Sequence, residues 1–126
     1  MGRQRPSLGK PDRRAQVLDI CAALPEVNFT HCEHVACRVR RKVFAYYLDN
    51  HHGDGIVAVC CRSTLDRQHE LVKLHPDRYL APAYVGPRGW VSLRVDLPLV
   101  DWDEVADLLR AAYCLAAPRR LAMQLE

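Results

Sequence analysis

The sequence predicts an α+β domain in which helices pack on one side of an antiparallel sheet. Two observations predict it. Apolar residues recur at helical spacing in three separated segments, and at period two in the runs between them. The order of those segments is helix, four strands, helix, two strands, helix, which reads α-β(4)-α-β(2)-α.

Each element has a local cause. Pro11-Asp12 offers a helix start, Val17, Ile20, Cys21 and Leu24 fall at i, i+3, i+4 and i+7, and Pro25 ends the run. From Val27 the period changes to two. "VNFTHC" and "VACRVRR" read as a hairpin pair with Val35, Cys37 and Val39 on one face and His34, Ala36, Arg38 and Arg40 on the other. "KVFAYYLD" is a third strand, rich in aromatic and β-branched residues, and "HHGDG" is a turn. Ile56 to Cys61 is apolar throughout, as expected of a central strand covered on both faces. Ser63-x-x-Asp66 opens a helix that His75-Pro76 closes. Ala83–Val85 and Trp90–Asp96 are expected to form a second hairpin around Gly86-Pro87-Arg88-Gly89, a type I turn with Arg88 at its tip. Asp101-x-x-Glu104 caps a helix with Trp102, Val105, Leu109, Ala112 and Ala116 on its inner stripe, and Pro118 starts a short last helix.

The chain has 126 residues, 49% hydrophobic and 26% charged, the composition of one globular domain with its own core. Residues 1–10 read as a mobile basic tail and 11–126 as a single domain. No apolar run approaches the roughly 20 residues that cross a bilayer, and the basic start leads into no signal-peptide core. The six cysteines contain no C-x-x-C pair, so reduced thiols in a cytoplasm are expected. Arg3, Arg5, Lys10, Arg13 and Arg14 against Asp12 place more charge in the first fourteen residues than the net +3 of the whole chain. The remainder is slightly acidic but segregated, with Arg38, Arg40, Arg41 and Lys42 in one cluster and Asp96, Asp101, Asp103, Glu104 and Asp107 in another.

Several pieces carry a family resemblance: Phe44-Ala45 in "RKVFAYY", Pro82-x-Tyr84 and Gly89-Trp90 in "LHPDRYLAPAYVGPRGWVSLRVD", and Tyr113 in "VDWDEVADLLRAAYCLAAPRRL". From Asp12 to Leu121 the chain resembles the MmcQ/YjbR family. The resemblance implies a compact fold shared with frataxin-like (CyaY-like) and secretion-chaperone-like domains. It also implies DNA binding, because the family's two hairpins suggest a double wing. It supplies no catalytic residues.

The residues weigh the same way. Arg38, Arg40, Arg41 and Lys42, at about 3.3 Å per residue, place four cations within about 15 Å, enough to engage several phosphates. Arg88 is expected to be a wing tip, held outward by Pro87. Trp90 is expected half-exposed beside Arg88 and Arg94, forming with Tyr84 a cleft for a protein or small ligand in the alternative reading. His31, Cys32, His34 and Cys37 have zinc-ligand chemistry, but strand alternation sets Cys37 opposite His34. His69 lies on an apolar helical stripe and reads as a hydrogen-bonded core residue. The acidic cluster is explained by capping rather than metal binding. No nucleophile elbow, P-loop, dinucleotide fingerprint or H-E-x-x-H motif is present, so no enzyme, cofactor or metal is expected.

Overall fold

The computed structural model describes residues 12–50 and 53–125; the tail expected over residues 1–10 and His51-His52 of the turn lie outside them. The elements run α1 (Arg13–Ala22), β1 (Val27–His31), β2 (Val35–Val39), β3 (Lys42–Asp49), β4 (Val57–Cys61), α2 (Leu65–Leu74), β5 (Tyr79–Leu80), β6 (Val91–Arg94), α3 (Trp102–Ala116) and α4 (Arg119–Ala122). The strands make one antiparallel sheet in the order β1-β2-β3-β4-β6-β5.

Register converts the period-two pattern into two faces. Phe29, Cys37, Ala45, Cys61 and Val91 line up across five strands, and Val35, Tyr47, Val59, Leu93 and Tyr79 form the next row. These rows meet Val17 and Cys21 of α1 and Val105, Leu109, Ala112 and Tyr113 of α3 in a single core. The opposite face carries Ala36, Tyr46, Cys60 and Ser92 in register. The central strand β4 is buried from Ala58 to Cys61, as its unbroken apolar run requires.

One irregularity matters more than the rest. Cys37 pairs with Ala45 while Arg38 pairs with Val43, so Phe44 is an extra residue, a β-bulge. Phe44 and Ala45 are consequently both buried, against strict alternation. The Phe44 ring meets Tyr113 edge-on, with centroids 5.6 Å apart. The Tyr113 hydroxyl donates to the Pro25 carbonyl at 2.7 Å, tying α3 to the turn that ends α1.

Helix starts follow the predicted chemistry, with one shift. Asp12 Oδ1 accepts from Ala15 N and Asp101 Oδ1 from Asp103 N and Glu104 N. The cap of α2 is Thr64, not Ser63: its Oγ1 accepts from Arg67 N at 3.1 Å. No helix among the described residues is long and apolar enough to cross a membrane.

The second hairpin forms differently from expectation. Its first strand is Tyr79–Leu80, paired with Leu93 and Ser92, not Ala83–Val85. Pro82 has no N–H to give a ladder, and Tyr84 takes a positive φ of 65°, so the chain leaves extended geometry there. Gly86–Arg88 then forms a turn of 3-10 helix rather than a projecting tip. The buried Gln68 carboxamide of α2 clamps this turn, donating to Gly86 O at 2.8 Å and Trp90 O at 2.5 Å. Gly89, at φ 94°, lies so close to α2 that a Cβ would come within 2.9 Å of the backbone of Thr64 and Leu65. We therefore expect Gly89→Ala to destabilise the fold by at least about 1–3 kcal/mol, from both positive φ and backbone clash. Thermal melts of the two chains check this, and an unchanged melting temperature would contradict the packing described.

Candidate functional site

The β2–β3 connection is a two-residue turn, Arg40-Arg41, and it carries the predicted cationic cluster. Arg40 has φ 58° and Glu26, just before β1, has φ 60°. Both lie one step beyond the Val27–Val39 pair, where the ladder ends. There the Arg40 guanidinium forks onto the Glu26 carboxylate at 2.6 and 3.3 Å. The hydrogen bond from Arg40, helped by the charges of Arg40 and Arg120, holds the Glu26 carboxyl below its usual range. Arg38 donates from Nε to Thr30 Oγ1 at 3.0 Å and from Nη1 to Arg41 O at 3.4 Å, which braces the turn. Arg41 and Lys42 are exposed, and neither has an ion-pair partner among the described residues.

The far end of α3 completes this region. Ala116, Ala117 and Pro118 face Val39, Arg40, Arg41 and Lys42 across a shallow hollow of 620 Å³. Arg119 and Arg120 follow Pro118 at the start of α4 and are exposed. Arg40 and Arg120, 80 residues apart in sequence, thus act on one carboxylate, Glu26, at one end of the sheet.

The structure brings Arg38, Arg40, Arg41 and Lys42 together as predicted, but sets Arg88 apart. Arg88 comes three residues ahead of β6, which lies two strands from β3 in the sheet order. It is exposed on the clamped 3-10 turn. Between the two lies a residue the sequence did not single out, Arg62, which directly follows β4. Its Nε donates to Val43 O at 2.7 Å and its guanidinium covers Trp90 at 5.4 Å. Arg119 and Arg120 were also missed, although two arginines after a helix-starting proline were visible.

The cleft expected at Tyr84 and Trp90 is not formed by those two side chains. Trp90 is 5% exposed, not half-exposed, because it precedes β6 and packs on Tyr46, ring centroids 5.8 Å apart, under Arg62. Tyr84 instead stands 86% exposed. Below it, Leu48, Ile56, Ala58, Leu80 and Pro82 line a mainly apolar hollow of 290 Å³ on the sheet's open face.

The remaining candidates have structural roles. Cys37 is buried in the core while His34 packs edge-on against Tyr46 and His31 meets Arg14, and no group of three metal-ligating side chains occurs among the described residues. His69 is exposed on α2, not in the core as its spacing suggested. Asp101 alone supplies the side-chain cap, and the Glu104 carboxylate instead accepts from Arg78 Nε and Nη2 and from the Tyr79 hydroxyl at 2.9 Å, joining α3 to β5. Burial pushes the Cys60 thiol up to about 11, against a hydrogen bond with Ser92 that pulls it down, and burial holds Cys61 higher still.

Fold and site together define a small α+β protein with a six-stranded sheet whose one end is basic. The YjbR family model matches residues 22–115, and the chain belongs to that family. The crystal structure of Deinococcus radiodurans protein DR2400, with a DUF419 domain, has a similar fold: TM-score 0.63 and 21% identity, covering 77% of this chain and 72% of that one. No curated protein matches the chain.

All six cysteines are unpaired, and only Cys32 and Cys114 are exposed. A thiol reagent at neutral pH should therefore modify two cysteines quickly and the other four only on unfolding. A chelator should leave the melting temperature unchanged. Rapid modification of Cys60, or a chelator-induced loss of stability, would contradict the burial and the absence of a His31–Cys37 metal site.

Proposed function

We propose that the chain is a non-enzymatic DNA-binding protein that contacts the phosphate backbone through the basic end of its sheet. The observation that carries this reading is the meeting of Arg41 and Lys42 at the β2–β3 tip with Ala116, Ala117 and Pro118 at the end of α3, with Arg120 of α4 close enough to act on Glu26 beside Arg40. Exposed cations without ion-pair partners among the described residues, spread over two elements, suit a curved line of phosphates and favour backbone contact over base reading. Arg38 and Arg40 act mainly as braces, since each already has polar partners. The β2–β3 tip is the single wing. Arg88 is a secondary contact on a buttressed turn, and the double-wing picture reduces to this pairing. The raised thiol of Cys60 supports a non-catalytic reading for the vicinal cysteines, and unpaired thiols suit a reducing cytoplasm.

A second reading rests on the apolar hollow lined by Leu48, Ile56, Ala58, Leu80 and Pro82, beside the exposed Tyr84. It makes the chain a module for a small apolar ligand or a protein side chain.

Fluorescence anisotropy with random duplex DNA at several salt concentrations separates the two. Binding at low salt should weaken steeply as salt rises, and the slope of log K against log salt should shrink by about two units in Arg41→Ala/Lys42→Ala. Arg88→Ala should remove at most about one unit. Glu26→Gln should act oppositely, because it releases the Arg40 guanidinium: affinity rises and the slope grows by about one unit. No binding at low salt, or binding indifferent to Arg41 and Lys42, would end the nucleic-acid reading and leave the hollow as the functional feature.

A further inference from the structure

Beyond the basic end, α2 and α3 leave a groove of 740 Å³ between them. Its floor is apolar: Leu71 and Leu74 come from α2, and Leu108, Ala111 and Leu115 from α3 at helical i, i+3, i+7 spacing. Leu74 is 62% exposed and Leu115 53%, so the groove opens leucine side chains to water on both walls. The two walls differ in charge. On α2, Arg67 is neutralised by Glu70 at 2.8 Å. On α3, Asp103 and Asp107 line the groove one turn apart, and neither has an ion-pair partner among the described residues. Of the other cations lining the groove, Arg78 is committed to Glu104 and Asp77, and Arg62 donates to Val43 O and covers Trp90.

We propose that this groove docks an amphipathic helix of a partner protein, with an apolar face for the leucine floor and Lys or Arg at i and i+4 along the flank that meets Asp103 and Asp107. Charge complementarity selects the occupant: on the α2 side Arg67 is paired with Glu70 and Arg62 is turned onto Trp90 and Val43 O, whereas α3 carries two carboxylates about 6 Å apart along the helix axis. From Asp103 to Leu115 the α3 wall runs about 18 Å, the length of a helix of about twelve residues. A third helix laid between two exposed ones buries its apolar stripe as in helix-in-groove recognition. Neither Arg41 nor Lys42 lines this surface, although Arg62 borders both, so it works alongside nucleic-acid binding and does not depend on it.

The probe is a fluorescein-labelled 14-residue synthetic helix with leucines at i, i+3, i+7 and i+11 and two flanking lysines, set against a copy with glutamates in place of the lysines. The lysine peptide should bind at least tenfold more tightly than the glutamate peptide. Leu74→Gln and Leu115→Gln, both at exposed positions, should each keep the melting temperature and weaken binding at least tenfold. Asp103→Asn/Asp107→Asn should abolish the preference between the peptides, and Arg41→Ala/Lys42→Ala should leave it intact. Equal binding of the two peptides, or leucine variants that bind normally, would overturn the proposal. So would self-association abolished by Leu115→Gln, which gives the groove to a second copy. Tighter peptide binding after removal of residues 1–11 would likewise reassign it, to the chain's own basic start.

Discussion

The contact between Tyr113 and the bulged Phe44 organises the end of the molecule where the charges gather. Both side chains are fully buried, and their rings meet edge-on between α3 and β3. Losing either aromatic ring from such a site costs about 3–5 kcal/mol, a large part of the stability of a domain this size. The contact also sets position. It lays the end of α3 against the β2–β3 tip, so Ala116, Ala117 and Pro118 share a hollow with Arg40, Arg41 and Lys42, and Arg120 beyond them acts on Glu26. The Tyr113 hydroxyl holds Pro25, the next residue is Glu26, and Glu26 holds Arg40. Core packing and the charge arrangement are thus one connected chain of contacts.

That connection explains how a chain of net charge +3 can present a strongly basic surface. Charge is sorted by location. Arg41 and Lys42 stand exposed at one end of the sheet, the carboxylates Asp103 and Asp107 line the α2–α3 groove, and Arg94 with Asp96 and Arg78 with Glu104 form part-buried pairs that brace β6 and β5. The first kind of charge is available to a partner, whereas the braced pairs are occupied by structure. Counting arginines does not distinguish these classes; their partners do. Arg40 and Arg41 are adjacent in sequence, yet Arg40 is paired with Glu26 and Arg41 has no ion-pair partner among the described residues.

Most of the fold was legible because its causes are local. Period-two runs placed β1 and β2, composition placed β3, an unbroken apolar run placed β4, and Asp12 and Asp101 announced their helices. The second hairpin was misread because Ala83-Tyr84-Val85 has strand composition, whereas Pro82 and the positive φ of Tyr84 bend the chain away from the sheet. The clamp from Gln68 and the close approach of Gly89 to Thr64 are long-range contacts with no sequence pattern of their own. The same limit governed the site. Arg38 to Lys42 could be seen as a run, but their meeting with the end of α3 and the action of Arg120 on Glu26 depend on where Tyr113 sets α3. Trp90 was placed by parity as a strand residue, and it lies just outside the strand.

Backbone amide chemical-shift mapping on titration with a short random-sequence DNA duplex is the most direct measurement of where a partner meets the molecule. Shifts concentrated at residues 38–42 and 118–121, with smaller ones at Arg88 and none across the α2–α3 groove, are the expected result. Shifts confined to the hollow around Leu80 and Tyr84, or an unchanged spectrum at low salt, would contradict the assignment of the interface to the basic end.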